Sequence, residues 1–408
     1  MFVMAFGNFI NAFDRASLSI AVPFIITEFN ISTVAMGMAL SAFFWAYVPF
    51  NPVIGNLADR FGIKKVLGWS AFVWSAFSAL TGFAQNVYHI IAMRFGVGLG
   101  ESAVLPCNAK IAASNYPSKE RGFTIGFYLA GIRLGNAVTP LVMVFLIKSW
   151  GWRGAFIITG LASLLWCVLW YFSYREPKAE KTAHVQKVKI PWRLVLRNRM
   201  LVCLTAAKFM QDYVMWLFFT WVPGYLVLGR GFDAVTMAFY MSVSYAVAGF
   251  AQPLIGLFSD WLIRRGFALN SRKILLACLQ IIASTIIITG YSSNAAVAMF
   301  FMVLAISSES VCSAVTFSII SEITPHRVTG SLGGFINSIG AVGGILAPIV
   351  TGVIVKMTGS FQLALTLGGL MMLGAAALVL FGMPKLALQT SLDAIEQPST
   401  ASSSAHPA

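Results

Sequence analysis

Long apolar runs recur along the whole chain, and this feature limits the possible folds more than any other. The first run, residues 2–26, carries only two charged residues, Asp14 and Arg15. A run of about 20 mostly apolar residues is typical of a transmembrane helix, which satisfies its own backbone hydrogen bonds in lipid. We therefore predict an all-α membrane protein with twelve spans. The predicted spans are 2–26, 34–57, 66–84, 88–112, 122–147, 154–174, 200–227, 235–258, 273–290, 295–320, 329–355 and 360–383.

The composition supports this class. Of the 408 residues, 58% are hydrophobic and only 10% are charged, whereas a soluble protein has about 25% charged residues. The five cysteines lie in apolar runs without CxxC spacing. We therefore expect no disulfide framework, no metal site and no cofactor. The first run is too long for a signal peptide, and whether a leader precedes it stays open.

The net charge of +14 would at first suggest a nucleic-acid partner. The positions of the charges indicate otherwise. If both termini are cytoplasmic, 20 of the 28 Lys and Arg residues fall on the cytoplasmic side and four fall outside. This positive-inside bias is typical of a multi-pass membrane protein. We expect an inner-membrane protein that contacts the lipid bilayer and binds no nucleic acid.

The longest polar stretch divides the chain into two halves. Residues 175–199 carry eight Lys and Arg against two Glu, which indicates a cytoplasmic linker at a lipid surface. It separates a six-helix bundle at 1–174 from a second one at 200–383. The tail at 384–408 is rich in Ser, Ala and Pro, and we expect it to be disordered.

The two halves are also sequence repeats. The stretch PVIGNLAD at 52–59 recurs as PLIGLFSD at 253–260, 201 residues later. Six Pro, Gly and Phe positions between 117 and 140 recur 208 residues later. Parallel repeats of this kind place a binding site between the halves near the bilayer midplane, and one half rocks against the other.

The loop GNLADRFGIKK follows span 2 and resembles the signature loop of the major facilitator superfamily. The resemblance covers nearly the whole chain and implies the major facilitator fold. It also implies that the loop latches the cytoplasmic gate through Asp59 and Arg60, rather than binding substrate. A plain positive-inside turn is the alternative. The residues assigned to this gating motif are Gly55, Asp59, Arg60, Gly62 and Lys64.

Four further stretches resemble the anion:cation symporter family within that superfamily. They are FINAFDRASLSIA in span 1, SAFFWAY at 41–47, RFGVGLGES at 94–102 and LFFTWVPGYL at 217–226. That family includes proton symporters for galactonate, glucarate, tartrate and phthalate-type acids. The resemblance implies import of a small organic anion with protons by alternating access, in a monomer that is not an enzyme.

Away from the span ends, eight charged residues lie inside predicted spans, and all eight fall on spans 1, 4, 5, 7 and 10. A charge inside a membrane is costly, so it should face a water-filled cavity or another charge. The resemblance implies that spans 1, 4, 7 and 10 surround the central cavity and that span 5 lies beside it. The eight residues are Asp14, Arg15, Arg94, Glu101, Arg133, Lys208, Asp212 and Glu309.

Four residues are candidates for substrate binding through the resemblance. Arg15 is the first candidate anchor, because guanidinium groups form paired hydrogen bonds to carboxylates. The family places Tyr47 and Asn337 against the substrate, although packing is the alternative for Tyr47. Phe317 stands where relatives often have an indole, which removes an N–H donor and favours a less polar substrate.

The proton-coupling candidates are carboxyl groups, because no histidine lies deep in a span. Arg94 and Glu101 are seven residues apart and share one helix face, so Arg94 is a further anion-binding candidate. The resemblance assigns protonation to Asp14 and Glu101. Static buried salt bridges that fix helix packing are the alternative for both.

The remaining charges leave more than one interpretation. Lys208 and Asp212 are four residues apart and can pair within span 7. Arg133 and Glu309 can pair across the cavity, or Arg133 can be a second anion anchor for a substrate with two acidic groups or a distal acceptor. Aromatic or dicarboxylic acids fit as well as sugar acids, and export or exchange is possible in the same fold. A membrane sensor or receptor is the alternative from another class.

Overall fold

The computed structural model describes residues 1–176, 197–265, 270–323 and 329–384. Most of the predicted linker and the predicted tail lie outside these residues. Within them, every regular element is a helix. The helices are α1 (Phe2–Phe29), α2 (Thr33–Phe61), α3 (Ile63–Thr81), α4 (Val87–Glu101), α5 (Val104–Asn115), α6 (Ser118–Ser173), α7 (Arg199–Gly224), α8 (Ala234–Arg264), α9 (Asn270–Ala283), α10 (Ile286–Tyr291), α11 (Ala295–Ile323), α12 (Thr329–Thr358) and α13 (Gln362–Ala377), with π-helical turns at Tyr225–Gly229 and Leu378–Gly382.

The all-α prediction is confirmed. In the described part of the chain, nine helical stretches are long and apolar enough to cross a membrane. The longest helix, α6, contains a break at Gly151, whose backbone angles are φ 69° and ψ 169°, so it supplies both predicted spans 5 and 6. Glycine adopts this positive φ without the steric penalty of a Cβ atom. The number of twelve membrane crossings stays a prediction.

Aromatic side chains pack in the interior of the first half. In the first half, the rings of Trp74 and Trp166 stack with centroids 5.8 Å apart, which joins α3 to α6. Trp170 continues this stack 5.7 Å from Trp166. Glycines at helix crossings let the backbones approach closely, as is usual between membrane helices. A Cβ atom at Gly135, for example, would lie 2.7 Å from the carbonyl oxygen of Phe9 in α1.

The two halves are in close contact at one end of the bundle, which we call the closed end. There α2 crosses α12, and a Cβ atom at Gly37 would overlap the carbonyl oxygen of Pro348. Thr33 donates a hydrogen bond to the carbonyl oxygen of Gly352 at 2.7 Å. Trp221 in α7 donates to Pro348 at 2.9 Å. These contacts close the space between the halves on that side.

At the opposite end the halves lie apart. We call it the basic end, because the α2–α3 and α8–α9 connections there carry Lys and Arg side chains. A Cβ atom added at Gly126, Gly256 or Gly334 would meet no atom within 4 Å. The bundle is therefore open toward the basic end.

The glycine contact at the closed end makes a testable prediction about conformation. We expect Gly37→Leu to push α2 away from α12 and to depopulate the state that is open at the basic end. Distances between spin labels on the closed-end tips of these helices should lengthen. Gly256→Leu is the matched control, because its side chain enters open space here and should leave that distance unchanged. Equal label distances in all three proteins would contradict the assigned contact.

Candidate functional site

A cavity of about 620 Å³ lies between the halves and opens toward the basic end. Its walls are largely apolar, with Trp216, Phe218 and Phe219 of α7 on one side. Concave sites of this size with a few placed polar groups are typical of small-molecule binding. The polar residues on its walls are Asn11, Arg15, Arg133, Asn136, Tyr245, Gln252, Glu309, Ser310 and Ser313.

A layer of aromatic side chains separates this cavity from the closed end. The rings of Phe44 in α2 and Trp216 in α7 lie 4.4 Å apart, across the boundary between the halves. Trp216 also packs edge-on against Phe219 at 5.6 Å. Beyond the cavity, a small pocket of about 20 Å³ lies beside Arg15 and Arg94. Passage through the protein in this state is therefore blocked by this aromatic layer.

Arg15 lies at the inner end of the cavity and is bound to Glu101. Its Nε and Nη2 atoms donate to Oε2 of Glu101 at 3.0 and 2.8 Å. The guanidinium group also lies over the rings of Phe43 at 4.9 Å and Tyr47 at 5.1 Å. Glu101 is fully buried, whereas the Arg15 side chain is 21% exposed. Since a guanidinium has five N–H donors, Arg15 can still bind an anion from the cavity.

Asp14 points away from the cavity, into the interior of the first half. Its carboxylate accepts hydrogen bonds from Ser163 in α6 at 2.7 Å and from Ser78 in α3 at 3.1 Å. Neighbouring residues on a helix point about 100° apart, which is why Asp14 and Arg15 have different surroundings. The structure thus brings Arg15, Tyr47 and Glu101 together, and it places Asp14 behind them.

Arg94 is buried behind Arg15, outside the main cavity. Its Nη1 atom donates to the backbone carbonyl of Asp14 at 3.3 Å, and the guanidinium lies 5.6 Å from the Phe156 ring. Arg94 and Glu101 share one helix face, but they do not form an ion pair with each other. Helix α4 ends at Glu101, and there the carboxylate turns toward Arg15 instead.

The second half holds a buried ion pair between Lys208 and Asp212, one helical turn apart. Asp212 fits against α12 because a Cβ atom at Gly340 would overlap its carboxylate. Phe317 lies outside the cavity, with its ring 5.8 Å from the Lys208 ammonium group. Asn337 is at an exposed position of α12 and also lies outside the cavity. Substrate contacts by these last two residues stay predictions.

Arg133 and Glu309 face the cavity from opposite halves. Arg133 lies on α6 and Glu309 on α11. They are close enough to interact electrostatically, but neither belongs to an ion pair of the described residues. Glu309 is 1% exposed, and its Oε1 atom has no hydrogen-bond partner there. Besides Arg15, the cavity wall therefore carries a second cation, Arg133, and one carboxyl group, Glu309.

At the basic end, the predicted gating loop is held by interactions within the first half. Lys110 binds both the carboxylate of Asp59 and the carbonyl oxygen of Gly55. Gly62 ends α2 with φ 87°, a conformation that favours glycine. The Arg60 guanidinium lies 5.2 Å from the Phe61 ring, and the Lys64 ammonium lies over Tyr171. A gate latch through Asp59 and Arg60 stays a prediction.

Several residues of the site were not among the sequence candidates. Ser78 and Ser163 bind Asp14, and both stand in predicted spans without charges, so a polar residue there was the available signal. Lys110 holds Asp59, although the sequence places them 51 residues apart. Trp216 and Tyr245 shape the cavity, and an aromatic residue in an apolar span carries no such signal.

Comparison with known proteins agrees with this architecture. The sequence profile of the Major Facilitator Superfamily matches residues 4–348. The probable sulfoacetate transporter SauU of Cupriavidus necator is 30% identical over 395 residues, covering 92% of this chain and 91% of that protein. The probable galactarate/D-glucarate transporter GudP of Bacillus subtilis is 31% identical over 410 residues, covering 93% and 89%. A crystal structure of a D-xylose-proton symporter has a TM-score of 0.75 at 17% identity, covering 94% of this chain and 97% of that one.

The solved structure shows the fold, and the family match shows the class of protein. The predictions of the major facilitator fold, of the related symporter family and of a non-enzyme are confirmed. The chain is a multi-pass membrane transporter and belongs to the Major Facilitator Superfamily.

Proposed function

We propose that this protein imports small organic acid anions together with protons, by alternating access across the inner membrane. The relatives at about the same length are named as transporters of sulfoacetate, of galactarate and D-glucarate, and of D-galactonate. The cavity supports the same class of substrate, because its inner end presents the guanidinium of Arg15 to an anion.

The ion pair between Arg15 and Glu101 carries this proposal. A substrate carboxylate that binds Arg15 competes with Glu101 for the same N–H donors. A buried carboxylate that loses its cation is costly, and uptake of a proton removes that cost. Binding of the anion and protonation of Glu101 then favour each other. This competition is a physical route from substrate binding to proton coupling.

Asp14 is the second proton position in this proposal. Its backbone carbonyl accepts a hydrogen bond from Arg94 and its carboxylate is held by two serine hydroxyls. Hydroxyl groups can donate to a carboxylate and can also accept from a protonated carboxyl group. The surroundings of Asp14 therefore accommodate both forms. A change of solvent access when the halves rock would let it exchange its proton with one side at a time.

Orientation follows from the basic residues. We place the basic end and both termini in the cytoplasm, because the positive-inside bias concentrates Lys and Arg there. The structure then represents the state in which substrate is released inward. The protein works as a monomer in this proposal, since each chain contains both halves of its own cavity.

Transport by the purified protein in liposomes tests the proposal. We expect an inward proton gradient alone to drive uptake of D-glucarate or sulfoacetate above equilibrium, since one pH unit supports about tenfold accumulation per proton. Uptake that does not depend on the proton gradient but requires an internal counter-anion would show an exchanger instead. Failure to bind or move any tested carboxylate would overturn the proposed substrate class.

A further inference from the structure

Arg133 is a cavity cation that the proposed coupling does not use. It lies on the first part of α6, where Gly249 of α8 leaves room for it. A Cβ atom at Gly249 would lie 3.8 Å from Cβ of Arg133. Among the described residues it forms no ion pair. Its acidic neighbour Glu309 interacts with it only at longer range than an ion pair. A positive charge inside a membrane is costly, so this position can accept a further anionic partner.

The packing of α1 on α6 gives the depth of Arg133 relative to Arg15. Both segments start at the basic end, where the amino group of Met1 donates to the Tyr116 hydroxyl. Gly131 meets the carbonyl of Ala5, and Gly135 meets the carbonyl of Phe9. In this register Arg133 is level with about residues 7–10 of α1. Arg15 therefore lies deeper by about five to eight residues, or roughly 8–12 Å at 1.5 Å per residue.

The same cavity thus has a cation at its inner end and a second one nearer its mouth. Asn136, one turn after Arg133, and Gln252 on the facing half add neutral amide groups to the walls. The Arg15 guanidinium is held at the inner end by Glu101, so a second cation nearer the mouth is placed for a second acidic group of the same ligand. A ligand with an acidic group at each end of an extended chain matches this offset. Five carbon–carbon bonds span about 6 Å on the scale of an extended backbone, and the two arginine side chains cover the remainder.

We propose that Arg133 is a specificity-determining residue that binds the distal acidic group of an extended diacid, about six carbons long, whose first carboxylate is held by Arg15. This inference rests on the proposed function and names its substrate class. Glu309 faces the same part of the cavity, and it must be uncharged when the distal acid binds, because two adjacent carboxylates repel each other.

Binding of D-glucarate and D-gluconate to the purified protein tests this inference. The two acids share one six-carbon skeleton, and only glucarate has a second carboxylate. We expect glucarate to bind about ten- to a hundredfold more tightly, as for one charge-assisted hydrogen-bonding group. Arg133→Gln should remove that preference and leave the Kd of gluconate within about twofold, since the loss is confined to the distal group. Arg133→Lys should restore part of the preference.

Two further measurements, with a Glu309 variant and with a shorter diacid, test the role of Arg133. Glu309→Gln should keep or increase the glucarate preference, because it removes the opposing charge. Sulfoacetate, a two-carbon diacid, should not depend on Arg133. Equal weakening of both six-carbon acids by Arg133→Gln, or a preference that survives it, would overturn this inference while gluconate binding keeps the proposed function intact. Loss of both acids in the wild-type protein would instead overturn the proposed substrate class.

Discussion

We expect Asp14→Asn to abolish proton-driven accumulation while exchange of substrate across the membrane continues. Asparagine has nearly the shape of a protonated aspartic acid, so the hydrogen bonds to Ser78 and Ser163 can largely be kept. It cannot release or take up a proton. The transport cycle then loses one of its two titrating groups, and the proton gradient no longer drives net uptake.

Two assays in the same liposomes measure this effect. Under a one-unit pH gradient, which supports about tenfold accumulation per coupled proton, uptake should fall to equilibrium, while counterflow against internal substrate persists. Asp233→Asn is the matched control, because it makes the same change at an exposed cap of α8, where asparagine caps equally well. If Asp14→Asn still concentrates substrate, Asp14 is not a proton carrier. Equal loss of accumulation and counterflow would indicate a packing role instead.

The cost of charge in lipid explains how much of the site was predictable. All eight intramembrane charges were found from the sequence because each is expensive wherever it does not face water or a partner. The positions of Arg15, Arg133 and Glu309 on the cavity walls agree with that argument. Lys208 and Asp212 pair within one helix, so their spacing alone was enough to suggest the contact.

Partners on other helices could not be read from spacing. Glu101 pairs with Arg15 of α1 rather than with Arg94 of its own helix, because seven residues put Glu101 and Arg94 about 10 Å apart along the helix axis. The serines around Asp14 come from α3 and α6, whose relative rotation is set by glycine and tryptophan packing. Helical periodicity indicates which residues share a face, but it does not indicate what another helix brings against that face.

The conformation of the protein also limits how well site residues can be predicted from the sequence. Contacts at the closed end join α2 to α12, and the basic end is open, so residues that line a path in one state can lie outside the cavity in another. Asn337 and Phe317 both lie outside the cavity here. A residue in a sequence motif can act in any state of the transport cycle, whereas one structure shows the contacts of one state.

The second large effect is expected at Arg15. We expect Arg15→Gln to weaken binding of any carboxylate substrate by about ten- to a hundredfold, and to remove its transport at low concentration. The substitution deletes the guanidinium that faces the cavity and leaves Glu101 buried without its cation. Arg15→Lys should recover only part of the affinity, since an ammonium group lacks the planar fork that binds two oxygens at once.

Arg15 could instead have a purely structural role, and three measurements distinguish that role from substrate binding. Ligand-induced stabilisation reports affinity through ln(1 + [L]/Kd), so it should vanish in Arg15→Gln even if the unliganded protein melts at a similar temperature. Arg153→Gln is the matched control, because that arginine pairs with Glu28 at the closed end, where both side chains are partly exposed and the pair contributes little. Adding Glu101→Gln to Arg15→Gln should recover thermal stability, by removing the unpaired charge, without recovering binding. If that double variant regains both, Arg15 serves only to neutralise Glu101 and the anion is held elsewhere in the cavity.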